Sequence, residues 1–264
     1  MEIINIGNTF YTNYVLRFEK NVILIDCGYN CSYEKFLKKI NKLGIAVEDI
    51  KVVLITHVHQ DHVSYLEELL NHITPTIIVG KDAIELLKKG EDQFYSFTSK
   101  QNRKLTYFTA KLRGGPASWN PIDISKYNPV VVESDDSETL KEYGGIIYTL
   151  PGHTQDSIGV KFGDDFIVGD AIMNCIPAKH LLPLLIYSAD AFKASYQKLI
   201  DLNAKNYYSG HGKVVDLDTL KKNKPFADAV TEQWTNRYSN PLNLTKLVAR
   251  YSPSSFYFLY DCKF

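Results

Sequence analysis

Apolar positions along the chain follow two rhythms, and their alternation sets the first structural expectations. Short runs such as Val22-Ile23-Leu24-Ile25 and Val52-Val53-Leu54-Ile55 have the length and β-branched content of buried strands. Between them Phe36, Leu37, Ile40 and Leu43 recur at helical spacing and Gly44 supplies a stop, which predicts a helix over 32–43. Further strands are expected near 2–6, 13–19 and 76–79, with a helix marked by Tyr65-Leu66 and Leu69-Leu70 and another over 81–89. Strands dominate from about 129 to 169, and Phe192, Tyr196, Leu199 and Ile200 predict an amphipathic helix over 189–202. Helices before and after two runs of strands imply two sheets packed together with helices outside, an α/β arrangement in αββα layers.

Several of these strands run straight into metal-competent side chains. After Val52–Ile55 comes Thr56-His57-Val58-His59-Gln60-Asp61-His62. In extended chain, side chains at i and i+2 share a side, so His57 and His59 can face one ion. Asp61 and His62 are adjacent and diverge, which suits a second ion as the chain curls into a helix. Ile146–Leu150 leads to Pro151-Gly152-His153-Thr154, and Asn206–Ser209 leads to Gly210-His211-Gly212. Asp165–Val168 leads to Gly169-Asp170, a carboxylate at another strand end. Glycine beside each of these three ligands permits close approaches that a side chain would block.

The set T-H-V-H-Q-D-H, P-G-H-T, G-D and G-H-G, in this order, resembles the metallo-β-lactamase superfamily of metal-dependent hydrolases. Thr12–Leu16 and Val22–Gly28 resemble that family's opening hairpin and I-D-x-G turn, and the likeness extends over roughly residues 1 to 215. It implies a four-layered αββα sandwich of two mixed β-sheets. It also implies that His57, His59 and His153 hold a first metal, that Asp61, His62 and His211 serve a second, and that Asp170 bridges the two. Zinc-type β-lactamases tend to differ at the bridging carboxylate and often use a cysteine ligand. Here Cys27, Cys31, Cys175 and Cys262 all fall outside the ligand positions, so the thioesterase, lactonase and phosphodiesterase branches are the nearer match. His59 argues against the diiron electron-transfer branch, which usually has glutamate there.

The donor set has chemical consequences of its own. Three neutral imidazoles leave an open position on a divalent ion and lower the pKa of bound water to about 7. The expected activity is therefore attack on a small ester, thioester or lactone by a hydroxide bridging two metal ions, with Asp61 and Asp170 as catalytic carboxylates. A phosphodiesterase with the same dinuclear site is the alternative, and an iron oxygenase or a metal-binding protein without turnover is a third reading. Zinc is the expected ion, with iron or manganese open to the same nitrogen and oxygen ligands.

Composition narrows the partners. Lysine plus arginine and aspartate plus glutamate number 30 each, so the basic excess of a nucleic-acid binder is missing and a small-molecule substrate is expected. No segment approaches the roughly 18 apolar residues of a membrane span, and residues 1–7 lack a signal-peptide pattern. A cytoplasmic protein with reduced cysteines is expected.

Residues 1–225 read as one catalytic domain and 226–264 as a short helical extension of it, with helices near 226–234 and 242–250. Within the domain, 91–128 is a long aromatic insertion, as well suited to a substrate lid as to a satellite core or dimer contact. The segment 171–187 starts at a metal ligand, so Lys179, His180 and Tyr187 are candidates for substrate binding. Its apolar content would equally serve a homodimer. His72 is assigned to a helix end, and Asp26 to a turn or to support of the ligands.

Overall fold

Every residue of β3 (Val22–Ile25) is buried, yet the strand has two faces. Val22 and Leu24 join one hydrophobic cluster, Ile23 and Ile25 another. The same division recurs in β4 (Ile50–Leu54), where Val53 opposes Val52 and Leu54, and in β5 (Thr76–Gly80), where Ile77 and Val79 oppose Ile78. Side chains alternate along a strand, so strands apolar on both faces belong in the middle of a layered molecule.

The computed structural model describes the chain apart from residues 9, 20, 29–31, 91–95, 99–118, 176–177 and 232–264. Its first sheet has the order β1-β2-β3-β4-β5-β7, with β1 at Glu2–Asn5, β2 at Tyr14–Arg17 and β7 at Val130–Val132. Strands β1 to β3 are antiparallel and β3, β4, β5 and β7 run parallel. The second sheet contains β8 (Gly145–Thr149), β9 (Ile158–Phe162), β10 (Asp165–Gly169), β12 (Asn206–Ser209) and β13 (Val215–Asp216), in the order β13-β12-β10-β9-β8. Only the β10–β12 pair in it is parallel. Strands β6 (Ser96–Phe97) and β11 (Leu185–Ile186) form a separate two-stranded ribbon.

Leu16, Ile23, Leu54, Ile78, Ile147, Val160 and Ile167 fill the space between the sheets. Helices α1 (Tyr33–Lys42), α3 (Leu66–His72) and α4 (Ala83–Lys89) cover the first sheet through Phe36, Ile40, Leu66, Leu69, Leu86 and Leu87. Helices α5 (Ala189–Asp201) and α6 (Leu217–Asp228) cover the second through Phe192, Tyr196, Leu199 and Leu220. The layers are therefore αββα, with two mixed sheets. A single turn of helix, α2 (Gln60–Val63), sits at the carboxyl end of β4.

One element departs from expectation. Helix α6 occupies Leu217–Asp228, ahead of the position predicted for a C-terminal helix, and runs across residue 225. It hides in the sequence because Lys221-Lys222-Asn223-Lys224-Pro225 reads as a solvated turn, while only Leu220 and Ala227 are buried. Asp216 caps it, accepting from Thr219 N–H at 2.7 Å.

Within the 91–128 insertion, residues 119–128 join the core, whereas Ser96–Phe97 pairs with β11. Trp119 and Tyr127 pack against the first sheet's cluster, and the Tyr127 hydroxyl donates to the Leu70 carbonyl at 3.1 Å. Phe94, Tyr95, Tyr107 and Phe108 lie outside the described residues, as does most of the expected extension. His72 ends α3 and stacks on Tyr33 at 4.7 Å. Among the described residues no helix is long and apolar enough to cross a membrane.

Candidate metal centre

Strands β4, β10 and β12, together with the β8–β9 connection, deliver seven side chains to one edge of the sandwich. His57 and His59 follow β4 in extended chain, and Asp61 and His62 lie in α2 with His59 as its N-terminal flank. His153 sits in the β8–β9 connection, Asp170 directly after β10 and His211 two residues after β12. All except Asp61 are buried.

Their ligand atoms fall into three overlapping groups: His57, His59 and His153; His57, His62 and Asp170; and Asp61, His62 and His211. In the first, His57 Nε2 and His153 Nε2 each lie 3.1 Å from His59 Nδ1. In the last, His211 Nε2 is 3.2 Å from Asp61 Oδ2, and His62 Nε2 is 4.0 Å from Asp61 Oδ1. Asp170 stands between them. Its Oδ2 is 3.1 Å from His211 Nε2 and 3.6 Å from His153 Nε2, while Oδ1 is 3.7 Å from His62 Nε2. Gly210 keeps this space open: a Cβ there would lie 2.3 Å from Asp170 Oδ1 and 2.7 Å from the His62 ring.

The outward nitrogens explain which way the rings face. His153 Nδ1–H donates to the Leu185 carbonyl at 2.8 Å, and His211 Nδ1–H to the Phe10 carbonyl at 2.7 Å. Asp26 is buried, with φ of 62°, and accepts Thr56 N–H at 2.7 Å, the Thr56 hydroxyl at 2.8 Å and His62 Nδ1–H at 2.8 Å. Because the Thr56 hydroxyl proton goes to Asp26, its oxygen is left to accept from His57 Nδ1–H at 3.1 Å. Asp26 thereby orients one imidazole directly and another through Thr56. Each of these four rings then turns Nε2 inward, the atom that would offer its lone pair to a cation.

Four inward-facing imidazole nitrogens beside two carboxylates make a donor set that a cation would complete, taking the place of the protons that the carboxylates draw onto His62 and His211. Buried His62 Nε2 and Asp170 Oδ1 have no hydrogen-bond partner, although an orphaned buried polar atom is costly. A divalent ion satisfies both, so the donor set fits two such ions, the first with three imidazoles and the second with mixed ligands.

Electrostatics separates the groups. Burial, reinforced by neighbouring imidazoles, lowers the pKa of His57 and His153 and takes His59 down to about 3. Burial also opposes charge on His62, but the Asp26, Asp170 and Asp61 carboxylates outweigh it and push the ring up to about 9. His211 is raised in the same way, by Asp170 and Asp61 against burial. Burial would raise Asp61 and Asp170, yet the facing imidazoles hold both below the usual carboxylate range.

The three expected substrate residues are not drawn into these groups. Lys179 and His180 are exposed, and the His180 ring stacks on Phe226 of α6 at 3.6 Å. Tyr187 is exposed, with its backbone N–H donating to the Gly152 carbonyl at 2.7 Å beside His153. Neither Cys27 nor Cys175 belongs to a ligand group. Thr56 and the Leu185 and Phe10 carbonyls escaped the sequence reading; a carbonyl carries no residue-type signal, and Thr56 had only its place before His57.

Comparison with known proteins gives this geometry a lineage. The chain is similar to the probable metallo-hydrolase MJ0888 of Methanocaldococcus jannaschii, 29% identical over 215 residues that cover 80% of this chain and 92% of that protein. In fold it resembles a metallo-β-lactamase with a HARLDQ motif from Cronobacter sakazakii, with TM-score 0.61 and 16% identity over 86% of this chain and 88% of that one. TTHA1623, solved in a di-iron-bound form, superposes with TM-score 0.58 and 20% identity over 86% of this chain and all of the other. The family model of the metallo-beta-lactamase superfamily matches residues 7–211, from the loop that orients His211 to His211 itself. The chain belongs to the metallo-beta-lactamase superfamily.

Proposed function

We propose that the protein is a dinuclear metal-dependent hydrolase acting on a small ester, thioester or lactone. The observation that carries this reading is the placement of Asp170 between an all-imidazole group and a mixed imidazole–carboxylate group. His57, His59 and His153 would hold one ion, Asp61, His62 and His211 the other, and Asp170 both. When bound, the ions supply Lewis acidity toward a carbonyl or phosphoryl oxygen and acidify water, so no serine or cysteine nucleophile is needed. Zinc is the ion we favour, and the di-iron form of TTHA1623 makes iron the alternative to test.

The residues then divide the work. Asp170 neutralises charge at the centre with both oxygens and holds the two groups in register. Asp61 is the most exposed of the seven, its side chain 24% accessible against 10% for His211 and 2% for Asp170. It is therefore the carboxylate through which a proton passes to a leaving group or to solvent. We assign Tyr187, whose backbone N–H is tied beside His153, to substrate binding, with Lys179 and His180 earlier in the same segment.

Elemental analysis of purified protein, with turnover of aryl ester, thioester, lactone and aryl phosphodiester substrates, tests the proposal. Two ions per chain and carboxyl-ester-type turnover abolished by a chelator are the expected result. Preference for the phosphodiester would move the reading to phosphoryl transfer. Absence of metal with absence of turnover would overturn it.

A further inference from the structure

One buried carboxylate near the centre is neither a ligand nor part of the Asp26 network. Asp156 lies three residues after His153, in the β8–β9 connection, and is 1% exposed. Its Oδ2 accepts the backbone N–H of Val58 at 2.8 Å, and Val58 is the residue between His57 and His59. Two residues away on both segments, Ile158 N–H donates to the Thr56 carbonyl at 2.8 Å. The Val58–Asp156 bond continues that pairing by one rung, with a side-chain oxygen standing in for a backbone carbonyl. These rungs join segments from different sheets, since Thr56–Val58 extends β4 and Ile158 opens β9.

The surroundings hold Asp156 in place. Gly80, at the end of β5, approaches so closely that a Cβ would lie 1.9 Å from the Asp156 carbonyl oxygen. The Thr154 and Ser157 hydroxyls bond each other at 2.6 Å, and Leu150 N–H donates to the Ser157 carbonyl at 2.8 Å. The connection therefore has little freedom to move without Asp156 moving too.

From this geometry we infer that Asp156 is a positioning residue for the three-imidazole group, locking the His57–His59 segment of one sheet to the His153 connection of the other. The peptide between His57 and Val58 sets the directions of two of the three rings. Its N–H is fixed from the loop that carries the third. Asp61, His62 and His211 are held by other partners, His62 by Asp26 and the Cys27 N–H and His211 by the Phe10 carbonyl, so the effect is selective. The inference rests on the reading that these residues hold metal, and it adds a prediction that reading does not make.

The test is a zinc titration of protein carrying 15N-histidine, read from the imidazole resonances of each group against a competing chelator. Asp156→Ala should weaken uptake at His57, His59 and His153 by roughly 10- to 100-fold, the usual effect of losing a ligand's supporting partner. The His62 and His211 resonances should shift within about threefold of the wild-type midpoint. Asp156→Asn keeps an oxygen for Val58 N–H and should restore uptake; Asp156→Glu keeps the charge, misplaces the oxygen by a methylene, and should not. The Asn and Glu pair decides the matter should the alanine variant fail to fold. Leu199→Ala, a core truncation in α5, is the control for general destabilisation. Wild-type-like titration of both Asp156→Ala and Asp156→Glu, or equal weakening of both groups as in the control, overturns the assignment. Wild-type protein that takes up no zinc overturns the metal reading along with it.

Discussion

The two ends of the centre are built from different materials. His57, His59 and His153 form a neutral pocket whose rings burial keeps uncharged, whereas Asp61, His62 and His211 form a pocket in which carboxylates draw positive charge onto imidazole. Apart from the shared Asp170, an ion in the first pocket would have only neutral ligands and would keep more of its charge. An ion beside Asp61 is partly neutralised and adjoins the more exposed side chain. On the hydrolase reading, the difference would suit one position to activation of the electrophile or water and the other to charge balance and proton exit. Asp170, touching both, makes them one unit.

Removing Asp170 is the strongest way to break the distinction. Asp170→Ala should cost roughly 10²–10⁴-fold in kcat on the best ester substrate and should lower metal content at both positions. Retention of two ions per chain in elemental analysis would show that Asp170 does not join the groups. Asp61→Asn should cut kcat by a similar or somewhat smaller factor while leaving one ion per chain. Circular dichroism should show the fold intact, because Asp61 lies at the surface of α2 rather than in the core. Asp26→Ala strikes both groups from outside. It leaves buried Thr56 N–H without an acceptor, at a cost of about 1–3 kcal/mol. Metal affinity at both positions should fall by roughly 10- to 100-fold, as chelator competition would show.

A smaller effect sharpens the comparison through pH. Burial raises the Asp156 carboxyl from 3.8 to about 6. The folded state therefore binds a proton that the unfolded chain has already released, so the associated stability is full below about pH 4 and is lost as pH rises through about 6. The change amounts to about 3 kcal/mol at most. Urea unfolding of wild-type protein and Asp156→Asn across this window should show the Asp156 slope in the difference between the two curves, because the buried imidazoles His57, His59 and His153 contribute a slope of opposite sign to both; parallel curves would refute it. Smallest of all, Tyr187→Ala should raise KM a few-fold with kcat nearly unchanged, since its bonds beside His153 come from the backbone N–H that alanine keeps.

Much of this was legible in the sequence for a definite reason. A buried strand that ends on histidine or aspartate is costly to make without purpose, and each of the four junctions carries that signature, three of them with glycine beside the ligand. The layers were legible because β3, β4, β5 and β10 are apolar on both faces, as in Phe166 and Val168 against Ile167. Helix α6 was not, since its polar face and Pro225 outweigh the two side chains it buries. Asp156 was passed over because an acid in a loop usually faces water; only the fold reveals Val58 N–H waiting for it. The ribbon between β6 and β11 pairs two residues with two, too short a run to leave a periodic trace.

The carbonyl of Phe10 that steers His211 comes from the other end of the chain, and Thr12 reinforces the contact by donating from N–H to the Gly210 carbonyl at 2.9 Å. Closing a loop of some two hundred residues is slow and entropically costly, and it brings no reward until the sheets have met. The last ligand therefore acquires its orientation only when the segment around Phe10 and Thr12 meets the segment around Gly210. A nascent chain holding the first four ligands can present a histidine cluster, but it cannot present a finished centre. The geometry of the His211 side thus depends on tertiary assembly of the whole sandwich and not on local structure.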